Sequence, residues 1–193
     1  GRFLCGIGAG GSLDATIQGG PDLTPRQRQD RYEEFVKLLD ILLTTDRVDF
    51  KGEYYETRNG RTLPGCVQQP RVPFVLAGNG PRSLRFAAQH GDGWMTTGGD
   101  KTTLDTWFAS LAELRYRLDD LLEGRHLDRY LSMDNAVYAL TSPDAFDEIT
   151  ARAAALGFTD LITHWPRAGG VYGGSEAVLE DVATELIPKL RRA

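Results

Sequence analysis

Five times along this chain a short apolar run gives way to a longer stretch with helical spacing, and no other feature restricts the fold as much. Residues 3–7 form the first run. Thr24 then reads as an N-cap with Pro25 at the first helical position. Tyr32, Phe35, Val36, Leu39 and Leu43 follow on one helical face. Residues 48–50 and 53–57 predict a small hairpin turning at Lys51-Gly52. The second main strand is predicted at 74–77, its helix at 81–90 and the third strand at 93–96. A long helix opens at Thr103, with Leu104, Trp107, Leu111, Leu114, Leu118 and Leu121 along one face. A fourth strand is predicted at 136–140, followed by a helix capped by Ser142-Pro143 and stopped by Gly157. A fifth strand is predicted at 161–164, and a last helix starts at Ser175 and is bent or ended by Pro188. Alternation of this kind predicts an α/β fold with a parallel sheet and right-handed crossovers.

With 193 residues and no linker-like stretch, the chain reads as a single domain, 1–193. A net charge of −5 and the absence of any Lys/Arg block argue against a nucleic-acid partner. No apolar stretch approaches the ~20 residues a membrane span needs. Cys5 falls in an apolar run and Cys66 in a loop, which fits a reducing compartment better than a disulfide framework. With no leader read before the first strand, the expectation is a cytoplasmic protein.

Gly6-Ile7-Gly8-Ala9-Gly10-Gly11 satisfies G-x-G-x-x-G after a strand and invites a nicotinamide-binding Rossmann reading. That fingerprint requires a helix to start at once so that its N-terminus meets the pyrophosphate. Gly19-Gly20-Pro21 lies too close for a comfortable helix, and Asp30, the acidic residue at about the right spacing, falls inside the next helix. The Rossmann alternative predicts a helix beginning at Gly11 or Ser12; the preferred reading predicts none.

The stretch FVLAGNGPRSLRFAAQHGDGWMTTGG, residues 74–99, carries more chemistry. A helix N-terminus exposes unsatisfied N–H groups at the positive end of the dipole, which suits a phosphate. Gly78 and Gly80 would let backbone approach a ligand, and Asn79 carries both donor and acceptor. Pro81 stiffens the first turn, and Arg82 and Ser83 add donors. Thr96, Thr97 and Gly98 end the next strand and, in a parallel sheet, would face the same crevice. The bland alternative is a pair of plain capped β/α turns.

Taken in order, GRFLCGIGAGG, RYEEFVKLLDILLTTDRVDFKGEYYE and PFVLAGNGPRSLRFAAQHGDGW resemble the luciferase-like monooxygenase family, bacterial-luciferase-type enzymes that use FMN or the deazaflavin F420. The likeness runs from residue 1 to about 100 and continues more weakly to IPKLRR. It implies a TIM (β/α)8 barrel and a reduced flavin or F420 acting on a small-molecule substrate, with a flavin reductase or F420 reductase as a partner. On matching positions it implies that Gly78, Asn79, Gly80 and Pro81 form the phosphate loop; Arg82, a donor at the start of the helix, is expected at the same cofactor site. Thr96, Thr97 and Gly98 match the second phosphate-facing loop, most like the F420 branch. Gly8, Ala9 and Gly10 match a strand end beside the flavin ring. The first run resembles the fourth barrel strand, so the chain corresponds to strands 4–8, a partial barrel with a hairpin excursion. Five strands cannot close a barrel. Three explanations stay open: a truncated chain, a missing N-terminal chain that completes it, or a degenerate relative that is non-catalytic. Open edges predict a homo-oligomer.

His164-Trp165 ends the last strand, on the rim where barrel enzymes keep their chemistry. His164 reads either as a catalytic donor or proton shuttle, or as a strand-end residue bonded to backbone. His90 suits its helix C-terminus and Trp94 suits a core. Three scattered histidines and two distant cysteines give no metal-ligand spacing.

Overall fold

The computed structural model describes residues 1–190, and two compact units, Gly1–Gly93 and Trp94–Ala193, divide the chain. In the first unit β1 (Cys5–Ile7) is followed by α1 (Ser12–Ile17) and α2 (Pro25–Thr44). The hairpin strands β2 (Val48–Lys51) and β3 (Glu56–Gly60), then β4 (Phe74–Ala77) and α3 (Pro81–His90), complete it. β1 pairs with β4 in parallel, Cys5 opposite Phe74 and Ile7 opposite Leu76. Phe74 and Leu76 are fully buried, as is Leu84 of α3. Tyr32 of α2 meets Phe86 of α3 edge to face, ring centroids 5.5 Å apart. At the start of β4, Arg71 is held by Asp40 and by Asp92 at 2.7 Å, with its guanidinium 3.6 Å from the Phe74 ring centroid.

Local signals explain α2 well. The Thr24 hydroxyl accepts from the Gln27 N–H, the Gln27 side chain accepts from the Thr24 N–H, and Pro25 occupies the first turn. The predicted hairpin is present, but its second strand starts at Glu56 rather than at residue 53. The cause is Glu34 on α2, whose carboxylate accepts from the N–H groups of Glu53, Tyr54 and Tyr55 at 2.8–2.9 Å. These donors are thereby withdrawn from strand pairing. Desolvation works against the Glu34 charge, but the three backbone bonds outweigh it and hold the carboxyl below its usual range. Glu34→Ala is expected to cost about 1–2 kcal/mol, at the low end for charge-assisted bonds because the site is open to water. A urea denaturation midpoint within error of wild type would contradict this.

The expectation of no helix after the first glycine loop is corrected: α1 begins at Ser12, where the Rossmann alternative placed one. It lasts six residues, buries none of them and ends before Gly19. The Asp14 carboxylate caps it by accepting from the Gly11 N–H at 2.8 Å. The rest of a dinucleotide unit does not follow. β1 pairs with β4 and not with β2, which lies in the separate antiparallel hairpin, and Asp30 sits inside α2.

β5 (Gly93–Thr96) leads into the second unit, with α4 (Leu104–Leu122), β6 (Asp128–Ser132), α5 (Pro143–Ala155), β7 (Asp160–Ile162), α6 (Glu176–Asp181) and α7 (Ile187–Leu190). Trp94, Trp107, Leu111, Leu118, Leu131 and Ile149 are buried there, and Trp94 stacks on Phe158. Ser142 caps α5 through the Ala145 N–H, and Gly157, at φ +77°, ends it.

The fourth strand predicted at 136–140 is misplaced. The strand is β6, and Ala139–Thr141 is a 3₁₀ turn whose Ala139 N–H bonds the Asp134 carboxylate at 2.9 Å. The fifth strand is shorter than expected and starts one residue earlier. Pro188 does not end the last helix. A π turn at Val182–Leu186 precedes it, loosening the ladder where proline offers no N–H. Arg191 and Arg192, the end of IPKLRR, lie outside the described residues. The main sheet has the order β1-β4-β5-β6-β7, and β6 pairs with β7 in parallel. No helix among the described residues is long and apolar enough to cross a membrane.

Candidate functional site

β4 is an unbroken apolar run because it is buried, and it stops at Gly78 for a steric reason. A Cβ on Gly78 would lie 2.6 Å from the Ser83 side chain, so the chain can pass the first turn of α3 there only as glycine. Gly80 is different. It is the N-cap of α3 with an ordinary backbone, φ −91° and ψ 162°, and an added Cβ would meet only the Ser83 hydroxyl at 3.7 Å. Ser83 Oγ accepts from the Gly80 N–H and donates to the Gly80 carbonyl. Gly80 offers no side chain in return to cap the first turn. Asn79, Gly80 and Pro81 are exposed.

Gly8, Ala9 and Gly10 leave β1 at the same end of the paired strands, and a Cβ on Gly8 would lie 3.4 Å from that of Ala77. They line a cavity of about 240 Å³ with Arg28 and Arg31 of α2 on its wall. The Tyr32 hydroxyl donates to the Ile7 carbonyl at 3.3 Å; burial, with help from Glu33, pushes the phenol far above its ordinary range and keeps it a donor. The structure thus gathers 8–10 and 78–81 at one strand end. Arg82 turns elsewhere, its guanidinium bonding Asp30 at 2.6 Å and Glu33 at 2.7 Å on α2.

In the second unit Thr96 is buried, and its hydroxyl accepts from the Gly98 N–H at 2.9 Å. The Trp107 indole N–H donates to the Thr97 carbonyl at 2.9 Å. Gly98 has φ +77°, and its Cβ would fall 2.2 Å from Trp107 Nε1, so packing alone demands glycine there.

His164 follows β7, and its Nδ1 lies 2.9 Å from the carboxylate of Asp134. The sequence reading missed Asp134, because a strand at 136–140 would place it before a strand and not after one. The parallel register of 128–132 with 160–162 would have found it. Trp94 is core, and His90 packs on Phe86, with its imidazole pushed down by burial and by Lys37. No group of three or more His, Cys, Asp or Glu that could hold a metal occurs among the described residues.

A sequence profile described as luciferase-like monooxygenase matches residues 1–128. The chain belongs to that family. Within the luciferase-like family it is 37% identical, over 99 residues, to the F420-dependent glucose-6-phosphate dehydrogenase of Kineococcus radiotolerans; the match covers 51% of this chain and 29% of the relative. Against the enzyme of the same name from Beutenbergia cavernae it is 26% identical over 240 aligned positions, 99% of this chain and 69% of the relative. That alignment is longer than the chain, so the relative carries insertions within the shared span. The chain spans only part of the length of the relatives it matches. A monooxygenase from Streptomyces bottropensis superposes with a TM-score of 0.75 at 16% identity, covering 98% of this chain and 69% of that one. Such neighbours are TIM-barrel enzymes, and the five β/α units have the fold of part of that barrel.

Proposed function

We propose that this chain takes part in an F420-dependent oxidoreductase acting on a hydroxyl-bearing small molecule, with the cofactor phosphate received at the N-terminus of α3. Gly80 carries the reading. Neither its backbone conformation nor any close neighbour within its unit demands glycine, whereas a ligand that must reach the first-turn N–H groups does. Gly78, Asn79 and Pro81 would shape the phosphate site, and Gly8, Ala9 and Gly10 would stand beside the ring. Thr96, Thr97 and Gly98 enter on the family resemblance. The choice of F420 over FMN is supported by the F420-dependent relatives at 26–37% identity. When bound, F420 would supply a hydride acceptor. Arg82, already paired with Asp30 and Glu33, would steady α3 against α2 and not the phosphate.

The test is retention of F420 or FMN after gel filtration, read in the visible spectrum, followed by fluorescence titration. F420 retained in preference to FMN is the expected result. Equal or better retention of FMN would move the chain to the flavin branch, and retention of neither would overturn the reading.

A further inference from the structure

A groove runs between α2 and α3 inside the first unit, and an ion-paired clamp stands at each end of it. Arg82 of α3 holds Glu33 of α2 at 2.7 Å at one end, and Arg71, just before β4, holds Asp40 of α2 at the other. Beside the Arg71 clamp lies a cavity of about 440 Å³, a size ordinary for small-molecule sites. Phe74 starts β4 and His90 ends α3, so this cavity sits at the opposite end of both elements from Gly78 and Gly80. Its apolar side is Ile41, 38% exposed, with buried Val36 and Phe74 behind it. The Arg71 guanidinium lies 3.6 Å from the Phe74 ring centroid and itself lines the cavity, presenting a planar cation on which an aromatic ring stacks well. Lys37, Gln89 and His90 complete the wall and continue into an adjoining hollow that also holds Arg85.

The charges along this groove are unevenly matched. Both acids that helical spacing offers to Lys37 are already committed. Glu33, four residues before it, takes Arg82 and accepts from the Gln29 amide at 2.9 Å; Asp40, three residues after it, takes Arg71. Lys37 and Arg85 are exposed and form no ion pair among the described residues. The Lys37 ammonium stands 5.8 Å from the Phe86 ring centroid, and the His90 ring centroid is 4.5 Å from the same ring. Burial, and after it the Lys37 charge, push the His90 imidazole down, while Asp40 and Glu33 oppose that shift more weakly. At His90, then, the cation outweighs either acid. A molecule entering here meets unpaired donors and a flat cationic wall, with the carboxylates turned to their clamps. We infer that the groove binds a small aromatic carboxylate, its ring on Arg71 and Ile41 and its charge at Lys37, with Gln89 and Arg85 alongside.

The experiment titrates the full chain with 2-naphthoate, followed by its fluorescence, and maps the site by backbone amide shifts in NMR spectra. Saturable binding is expected, with the largest shifts at Lys37, Gln89 and His90. 2-Naphthamide keeps the ring without the charge and acetate the charge without the ring; each should bind at least about tenfold more weakly. Lys37→Ala should weaken 2-naphthoate about tenfold, the scale of one charge-assisted contact, and Lys37→Glu should weaken it further. Lys37→Arg should restore binding to within about twofold of wild type. Arg85→Glu, a second variant at an exposed position, should cost about threefold. None of these substitutions touches the core. The groove does not depend on F420, so a chain that bound 2-naphthoate here and failed to bind F420 would lose only the functional reading. No saturable binding, equal binding of 2-naphthamide, or indifference to Lys37→Glu would overturn the inference. Shifts centred on residues 8–10 and 78–81 would overturn it too, by moving the ligand to the other end of the strands.

Discussion

Gly80→Asp is expected to weaken F420 binding by about 100-fold or more, a loss near 2.7 kcal/mol, while leaving the fold as stable as before or slightly more so. Few substitutions separate binding from stability so sharply. Gly80 is the N-cap of α3 and provides no side-chain acceptor, so an aspartate would supply one; replacing an N-cap glycine in this way gains a few tenths of a kcal/mol. Room is available, since the first atom a Cβ would meet is the Ser83 hydroxyl at 3.7 Å. The same carboxylate would occupy the N–H groups proposed for the phosphate and oppose its charge. Gly78→Ala makes the opposing control, because its Cβ would press on Ser83 at 2.6 Å and cost stability whether or not a ligand binds. Calorimetric melting and F420 titration of both variants check the pattern. A Gly80→Asp variant that binds F420 like wild type would remove the phosphate from α3.

The parts of the fold legible in the sequence are those fixed by neighbours in the chain. Thr24-Pro25 and Ser142-Pro143 marked helix starts because capping is a contact over three residues, and Gly157 marked a stop because its positive φ suits glycine. β6 escaped because Asp128 and Arg129 break its apolar pattern, while Val137, Tyr138, Ala139 and Leu140 look strand-like. Their turn is set by the carboxylate of Asp134, a contact that periodicity does not encode. The site divides in the same way. His164 stood out as a strand-end residue, but its partner comes from another strand and depends on register. Arg82 resembles an anion donor at a helix start; its acids, Asp30 and Glu33, lie about fifty residues upstream, where no local pattern points. Gly78, Gly80 and Gly98 look alike in sequence, and only the neighbours of the missing Cβ tell a packing glycine from one that nothing nearby requires.

Gly98→Ala is the substitution expected to damage the fold most, by about 3–5 kcal/mol. Two costs combine. An alanine at φ +77° adopts a left-handed conformation that costs about 1–2 kcal/mol. Its Cβ would also sit 2.2 Å from Trp107 Nε1 and 2.6 Å from Cδ1, and Trp107 is fully buried beside a fully buried Leu111, so neither can withdraw into open space. Overpacking of this kind adds about 1–3 kcal/mol. Displacing the indole also strands its N–H, now bonded to the Thr97 carbonyl, and a buried donor left unmade adds about 1–3 kcal/mol more. These costs overlap, because one shift of Trp107 relieves the clash by breaking the bond. Gly170→Ala separates them: it has φ +82° with nothing within 4 Å of its Cβ, so it should lose only the backbone part, about 1–2 kcal/mol. Urea denaturation of the two variants gives the difference directly. Equal losses would mean that Trp107 yields freely, and the demand for glycine at position 98 would then have to come from something other than the packing of its own unit.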